Sequence, residues 1–132
     1  MLLDALRVDP HRLRGIVVLD PAANHSFADL EQLHALGVRG ARCNTRNLGG
    51  MAFETVVGLA TKVASLGWTM QFQVRPEQLD ELATVLPTLT ARAVIDHLGF
   101  IDLDPPQVAI DKLRTLLVAG NCYIKLSAPY RV

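Results

Sequence analysis

The residues best suited to chemistry stand where apolar segments end. Asp96 and His97 follow the apolar run 93–95 and are predicted to end the same strand, which spans 93–97, and Gly99 then allows the chain to turn sharply. Many α/β enzymes present a reactive group in this way, because ligands bind at the carboxyl ends of parallel strands. His97 is therefore a candidate metal ligand, general acid/base or substrate donor, and a purely structural role fits a lone histidine equally well.

Polar side chains recur at the ends of the other predicted strands. Alternate residues of a strand point the same way, which predicts four same-side sets: Arg42 with Asn44, Gln71 with Gln73 and Arg75, Ile95 with His97, and Lys125 with Ser127. Asp96 then faces away from His97, toward backbone partners. Buried polar groups need partners, so the pattern predicts a shared site, in which Arg42, Arg75 and Arg131 would bind a carboxylate. Solvated strand ends are the alternative.

These polar positions belong to a strand–helix unit that repeats along the chain. Strands are predicted to begin near residues 14, 38, 68, 93 and 122, at intervals of 24, 30, 25 and 29 residues. Each interval holds one helix and two short loops, which is typical of parallel strands with right-handed crossovers. Ser26 and Asp29 form a predicted capping box, and a glycine ends three of the helices.

Five such units in 132 residues fit two α/β architectures. One is a partial TIM (β/α)8 barrel, since a whole barrel takes about 250 residues. The other is an open five-stranded flavodoxin-like sheet. The segment 1–7 reads as a helix without a preceding cap, and residues 130–132 directly follow the last strand. Periodicity alone leaves both architectures open.

The composition indicates one globular domain without a nucleic-acid or membrane partner. Lys plus Arg and Asp plus Glu both number 13, so the formal net charge is zero. The chain holds no apolar run near the ~20 residues of a membrane span. Cys43 and Cys122 fall in predicted strands and lack metal-ligand spacing. Buried thiols in a reducing compartment are the expectation, and hence a cytoplasmic protein.

Five segments in order resemble the amidohydrolase-related family of metal-dependent hydrolases, which has the TIM-barrel fold. The nearest branch contains the 2-pyrone-4,6-dicarboxylate lactonase-like proteins, and the resemblance covers nearly the whole chain. The segments are 14–21 (RGIVVLDP), 33–44 (LHALGVRGARCN), 66–68 (LGW), 94–99 (VIDHLG) and 123–131 (YIKLSAPYR).

The resemblance implies water attack on a lactone or a related carbonyl of a carboxylate-bearing substrate. Full-length members would use a divalent metal such as Zn²⁺ or Mn²⁺. His97 occupies the position of a histidine of the catalytic centre and is a candidate metal ligand. The resemblance also implies a substrate-binding set, to which the strand-end pattern adds Gln73: Arg42, Asn44, Lys125, Tyr130 and Arg131.

Two parts of the family pattern are not found in this sequence. It contains no His-x-His motif, and no strand that would carry the aspartate acting as general base on water. Residues 1–132 are therefore expected to form one partial amidohydrolase-related barrel domain without its first and last strands. Such a chain should hydrolyse little by itself and should self-associate through open sheet edges. The alternative is a non-catalytic α/β module that binds a small ligand or a partner.

Overall fold

The computed structural model describes residues 1–19, 23–45, 53–102, 106–128 and 130, apart from the side chain of Glu54. Helices and strands alternate throughout these ranges, as the spacing predicts. In chain order the elements are α1 (Leu2–Val8), β1 (Gly15–Val18), α2 (Phe27–Ala35), β2 (Val38–Asn44), α3 (Phe53–Ala64), β3 (Thr69–Gln73), α4 (Leu79–Val85), β4 (Arg92–Ile95), α5 (Gln107–Val118) and β5 (Cys122–Ile124), with 3₁₀ turns at Pro76–Gln78, Leu86–Thr88 and His97–Phe100.

The five strands form one parallel sheet in the order β1-β2-β3-β4-β5. Each strand lies beside its neighbours in sequence. A flavodoxin-like sheet has the order 2-1-3-4-5, in which the first strand lies between the second and the third. Here β2 lies between β1 and β3, so that alternative is wrong. The sequential order is that of a TIM-barrel wall, and it confirms the barrel-type prediction.

The two faces of the sheet differ sharply in exposure. One face packs against the helices, and Cys43, Phe72 and Ile95 on it have no solvent exposure. On the opposite face the side chains of Val18 and Tyr123 remain 69% and 53% exposed. Right-handed crossovers between sequential neighbours place α2 to α5 on the same side. The opposite face, which would line the inside of a barrel, is thus left uncovered by the described residues.

Local signals fix the helix boundaries as expected. The Ser26 hydroxyl accepts a hydrogen bond from the Asp29 backbone N–H (3.2 Å), and the Asp29 carboxylate accepts one from the Ser26 N–H (2.9 Å). Gly37, Gly67 and Gly120 follow α2, α3 and α5 with φ of +99°, +69° and +84°. Glycine populates this left-handed region without a steric penalty, so these helices stop where the sequence predicts.

One predicted boundary is wrong at the position that matters most. The fourth strand was expected to run to His97, but β4 ends at Ile95. Residues 97 to 100 instead form a tight turn in which all four residues have positive φ. Three of them are not glycine, and such backbone is uncommon and strained. His97 therefore does not share a strand face with Ile95.

The two cysteines are buried, as the sequence predicts. Cys43 and Cys122 are both buried, and burial raises the pKa of Cys43 to about 12 and that of Cys122 to about 11. Within the described ranges, no helix is both long enough and apolar enough to cross a bilayer.

Candidate functional site

Four polar side chains meet at the carboxyl ends of β2 to β5, on the uncovered face of the sheet. Asp96 Oδ2 lies 3.1 Å from Arg42 Nη2, and Asp96 Oδ1 lies 2.7 Å from Lys125 Nζ. Gln71 Oε1 accepts hydrogen bonds from the same two nitrogens, at 3.0 Å and 2.8 Å. These four residues, here called the strand-end cluster, form a closed ring of contacts.

The register of the parallel sheet brings the cluster together. Arg42 pairs with Gln71 across β2 and β3, so both side chains leave the same face at the same height. Hydrogen bonds continue past the strand ends, from the Asp96 N–H to the Phe72 carbonyl and from the Lys125 N–H to the Ile95 carbonyl, each 2.9 Å. Asp96 and Lys125 are thereby held one pleat further along the same face.

The cluster carries one net positive charge, because two cations surround a single carboxylate. The Asp96 side chain has no solvent exposure, whereas those of Arg42 and Lys125 are 32% and 37% exposed. The two cationic side chains are therefore partly exposed, although Arg42 Nε is buried, while the anion between them is fully buried. A guanidinium and an ammonium side by side suit a carboxylate-bearing ligand.

His97 lies beside the cluster, in the strained turn that follows β4. The Leu98 N–H donates to the Lys125 carbonyl (3.1 Å), and the Gly99 N–H donates to the Asp96 carbonyl (3.0 Å). A Cβ built on Gly99 would lie 3.3 Å from Leu113 Cδ2. The turn is thus held by β5 on one side and requires a glycine on the other.

The imidazole of His97 has two defined neighbours. Its Nδ1 lies 3.0 Å from Ser127 Oγ, and its ring meets Phe100 edge-on with centroids 5.2 Å apart. Lys125 and Ser127 were predicted to lie on one side of the chain, and each has a neighbouring partner. Lys125 contacts Asp96, and Ser127 contacts His97. The ring is half-buried, and Nε2 is the nitrogen left for a ligand.

The remaining predicted site residues are less closely joined to the cluster. Asn44 and Gln73 are opposite each other in the register of β2 and β3, and both are half-buried. Tyr130 is largely exposed. Arg131 lies outside the described residues, as does the loop from residue 46 to residue 52. The prediction of Arg131 as a carboxylate partner therefore stays a prediction.

One member of the cluster, Asp96, was not predicted as a site residue. Asp96 was expected to bond to backbone on the side away from the site, but its side chain points to the site and pairs with two cations. The available signal was strand alternation counted from Ile95. Because Ile95 is fully buried against the helices, the next residue must face the other way, toward Gln71. The prediction instead took the side shared by Ile95 and His97 as the side of the site.

A groove of about 500 Å³ opens near the same end of the sheet, between the loops that follow β3 and β4. Phe100, which contacts His97, forms part of its wall. The groove has both charged and apolar walls: Arg75, Pro76, Glu77, Phe100, Ile101, Asp102, Pro106 and Ala109.

The donor set does not fit a divalent metal. Zinc and manganese sites require at least three suitably placed protein ligands. In the described part of the chain, no three His, Cys, Asp or Glu side chains converge in this way. Asp96, the carboxylate nearest to His97 in sequence, is engaged by Arg42 and Lys125. His97 would be a single ligand, so no chemical step is assigned to a metal here.

Comparison with known proteins agrees with the fold. A 2-pyrone-4,6-dicarboxylate hydrolase of Comamonas testosteroni is 28% identical over 137 residues, covering 99% of this chain and 44% of that protein. A Pseudomonas putida protein named as a 2-pyrone-4,6-dicarboxylic acid hydrolase superposes with a TM-score of 0.84 at 29% identity, covering 98% of this chain and 48% of the other. The chain thus spans under half the length of these relatives.

A third relative was solved with a small carboxylic acid. It is an Acinetobacter baumannii protein, named as a 2-pyrone-4,6-dicarboxylic acid hydrolase, with citric acid bound. Its TM-score is 0.79 at 29% identity, over 98% of this chain and 49% of that one. The amidohydrolase family model matches residues 1–132. The chain belongs to the amidohydrolase family.

Proposed function

We propose that this chain carries the substrate-carboxylate side of a lactone hydrolase. In that reaction water adds to the lactone carbonyl carbon, the ring C–O bond breaks, and a carboxylate and a hydroxyl group form. Arg42 and Lys125 would bind a carboxylate of the substrate, because their cationic groups lie side by side on partly exposed side chains. The single observation that carries the proposal is the net positive charge of the strand-end cluster.

His97 is proposed to act on the reacting carbonyl. Its Nδ1 is occupied by Ser127, so Nε2 would donate to the carbonyl oxygen or move a proton there. Ser127 would orient the ring, and the edge of Phe100 would restrict its rotation. Asn44 and Gln73 are proposed to hold polar groups of the substrate, since they share the face of Arg42 and Gln71.

His97 would supply at most one ligand to a divalent metal, and no group of three His, Cys, Asp or Glu side chains that could hold one is found in the described part of the chain. No carboxylate in the described cluster is available as a general base, since Asp96 is held between two cations. We therefore expect the 132-residue chain to bind carboxylates but to hydrolyse lactones little or not at all.

Binding of citrate tests the proposed site directly. Arg42→Ala and Lys125→Ala should each weaken citrate binding about tenfold or more in calorimetric titrations, as expected for the loss of an ionic contact. Lys112→Ala is the matched control, because Lys112 pairs with Asp80 between α5 and α4. Equal affinity in all four proteins would refute the site. Robust turnover of 2-pyrone-4,6-dicarboxylate by the chain would refute the expected inactivity.

We further propose that the chain forms a partial barrel that associates with itself. The outer strands β1 and β5 and the exposed Val18 and Tyr123 leave apolar surface and backbone groups uncovered within the described residues. Sedimentation should show oligomers at micromolar concentration, and a stable monomer would contradict this. The two buried thiols support a cytoplasmic location.

A non-catalytic α/β module that binds a small ligand is the second candidate. The cluster itself supports it, since cations that bind a carboxylate suffice for recognition without turnover. Citrate binding together with complete inactivity of any longer form of the protein would favour this function.

A further inference from the structure

The carboxylate of Asp96 is the least solvated charge in the strand-end cluster. It has no solvent exposure, and among the described residues neither of its oxygens has a hydrogen-bond partner. Within the described part of the chain, two ion pairs, one to each oxygen, offset the burial of this charge. A buried charge with so few partners is costly, so its position is explained by what it does for Arg42 and Lys125.

Without Asp96 the two cations would repel each other. Arg42 Nη2 and Lys125 Nζ lie 3.0 Å and 2.8 Å from the same oxygen of Gln71, so they are at most 5.8 Å apart, the sum of those distances. The Gln71 amide accepts hydrogen bonds from both but carries no charge to offset their repulsion. Asp96 is the only acid of the cluster, and it touches both cations from the buried side.

We infer that Asp96 is a positioning residue for the proposed carboxylate site. Its buried carboxylate fixes the two cations side by side, with their accessible surfaces turned toward the ligand. The inference rests on the proposed function and adds to it the residue that arranges the site. Asp96 itself is fully buried and does not touch the substrate.

Citrate binding by Asp96→Asn separates positioning from simple charge. The substitution adds one positive charge to the site, so electrostatic attraction alone predicts tighter binding of a citrate anion. Positioning predicts the opposite, a loss of about tenfold or more, because the cations separate. Asp80→Asn is the matched control, since Asp80 is an exposed acid of α4 that pairs with Lys112. It should bind citrate as tightly as the unmodified chain, or slightly tighter.

The second readout is the order of the Arg42 side chain, measured by ¹⁵N relaxation of its guanidinium signals and assigned with Arg42→Lys. The unmodified chain should show an ordered guanidinium, and Asp96→Asn a mobile one. If the unmodified chain binds no citrate, the proposed function fails, and this readout still decides the role of Asp96. A folded Asp96→Asn chain with unchanged Arg42 order, or with equal or tighter citrate binding, would overturn the inference.

A further pair of variants covers the case in which Asp96→Asn does not fold. Lys125→Gln/Asp96→Asn removes one cation with the anion, so the net charge of the cluster stays at one positive unit and no cation repulsion remains. Positioning predicts that this double variant has a more mobile Arg42 and weaker citrate binding than Lys125→Gln alone. Equal Arg42 order in the two would overturn the inference.

Discussion

Gly40 is the position where a single methyl group should damage the sheet that carries the site. It lies in β2, on the same face as Arg42, and pairs with Ile16 on one side and Thr69 on the other. A Cβ at this position would lie 2.6 Å from Ile16 Cδ1 and 2.8 Å from both the carbonyl oxygen and Oγ1 of Thr69. Gly40→Ala should therefore destabilise the chain.

The size of the effect follows from which neighbours can move. Ile16 Cδ1 is the end of a flexible side chain, but the Thr69 carbonyl is backbone in the centre of the sheet. The added Cβ would lie about 1 Å too close to the Thr69 carbonyl oxygen for ordinary contact. Overpacking of this kind costs ~1–3 kcal/mol, and replacing a strand glycine offsets about 0.5–1 kcal/mol of that. We expect a net loss of about 1–2 kcal/mol in the free energy of unfolding.

Urea unfolding followed by circular dichroism measures this loss. Gly58→Ala provides a control of opposite sign, because Gly58 is exposed within α3 and no atom of the described residues lies within 4 Å of its would-be Cβ. Replacing a helix-interior glycine should stabilise the chain by ~0.5–1 kcal/mol. A Gly40→Ala chain as stable as the unmodified one, or both variants shifting in the same direction, would refute the assigned register.

Three further predictions concern the core and the helix caps. Trp68→Phe should lower the free energy of unfolding by about 1–3 kcal/mol in urea titrations. The reason is that the buried indole N–H of Trp68 donates a hydrogen bond to His34 Nδ1, 2.9 Å away. Cys43 and Cys122, with pKa values of about 12 and about 11, should react with a disulfide reagent at pH 8 far more slowly in the native chain than in urea; equal rates would contradict their burial. Hydrogen bonds from Ser26 lower the pKa of Asp29 below 3.8. The stabilisation they give is present above pH 4 and is lost as the pH falls through the lowered pKa. Ser26→Ala should therefore reduce the urea midpoint more at pH 7 than at pH 3.

Most of the fold was predictable because its signals are local. Glycines with positive φ end α2, α3 and α5, and the Ser26–Asp29 box begins α2. Strand intervals of 24 to 30 residues leave room for the helical crossovers that parallel strands require, whereas antiparallel hairpins need far less chain. The choice between barrel wall and doubly wound sheet was not local, since it depends on which strands pair in space. Only the observed order of β1 to β3 decides it.

The site was predictable in composition but not in arrangement. Arg42 and Lys125 were identified from polar strand ends, and their meeting follows from the parallel register. The role of Asp96 depended on which face of β4 packs against the helices, and residues 93–95 do not show it because they are apolar on both faces. The positive φ values from His97 onward are stabilised by tertiary contacts with β5, which no local pattern encodes.

The proposed function requires that Arg42 and Lys125 form one carboxylate site at the carboxyl ends of the strands. A titration of the ¹⁵N-labelled chain with citrate, followed in backbone and side-chain spectra, tests this most directly. The largest shifts should fall on the strand-end cluster and the turn after β4, at residues 42, 71, 96–98 and 125. Saturable binding with its largest shifts elsewhere, such as α1 or α5, or no binding at millimolar citrate, would contradict the account.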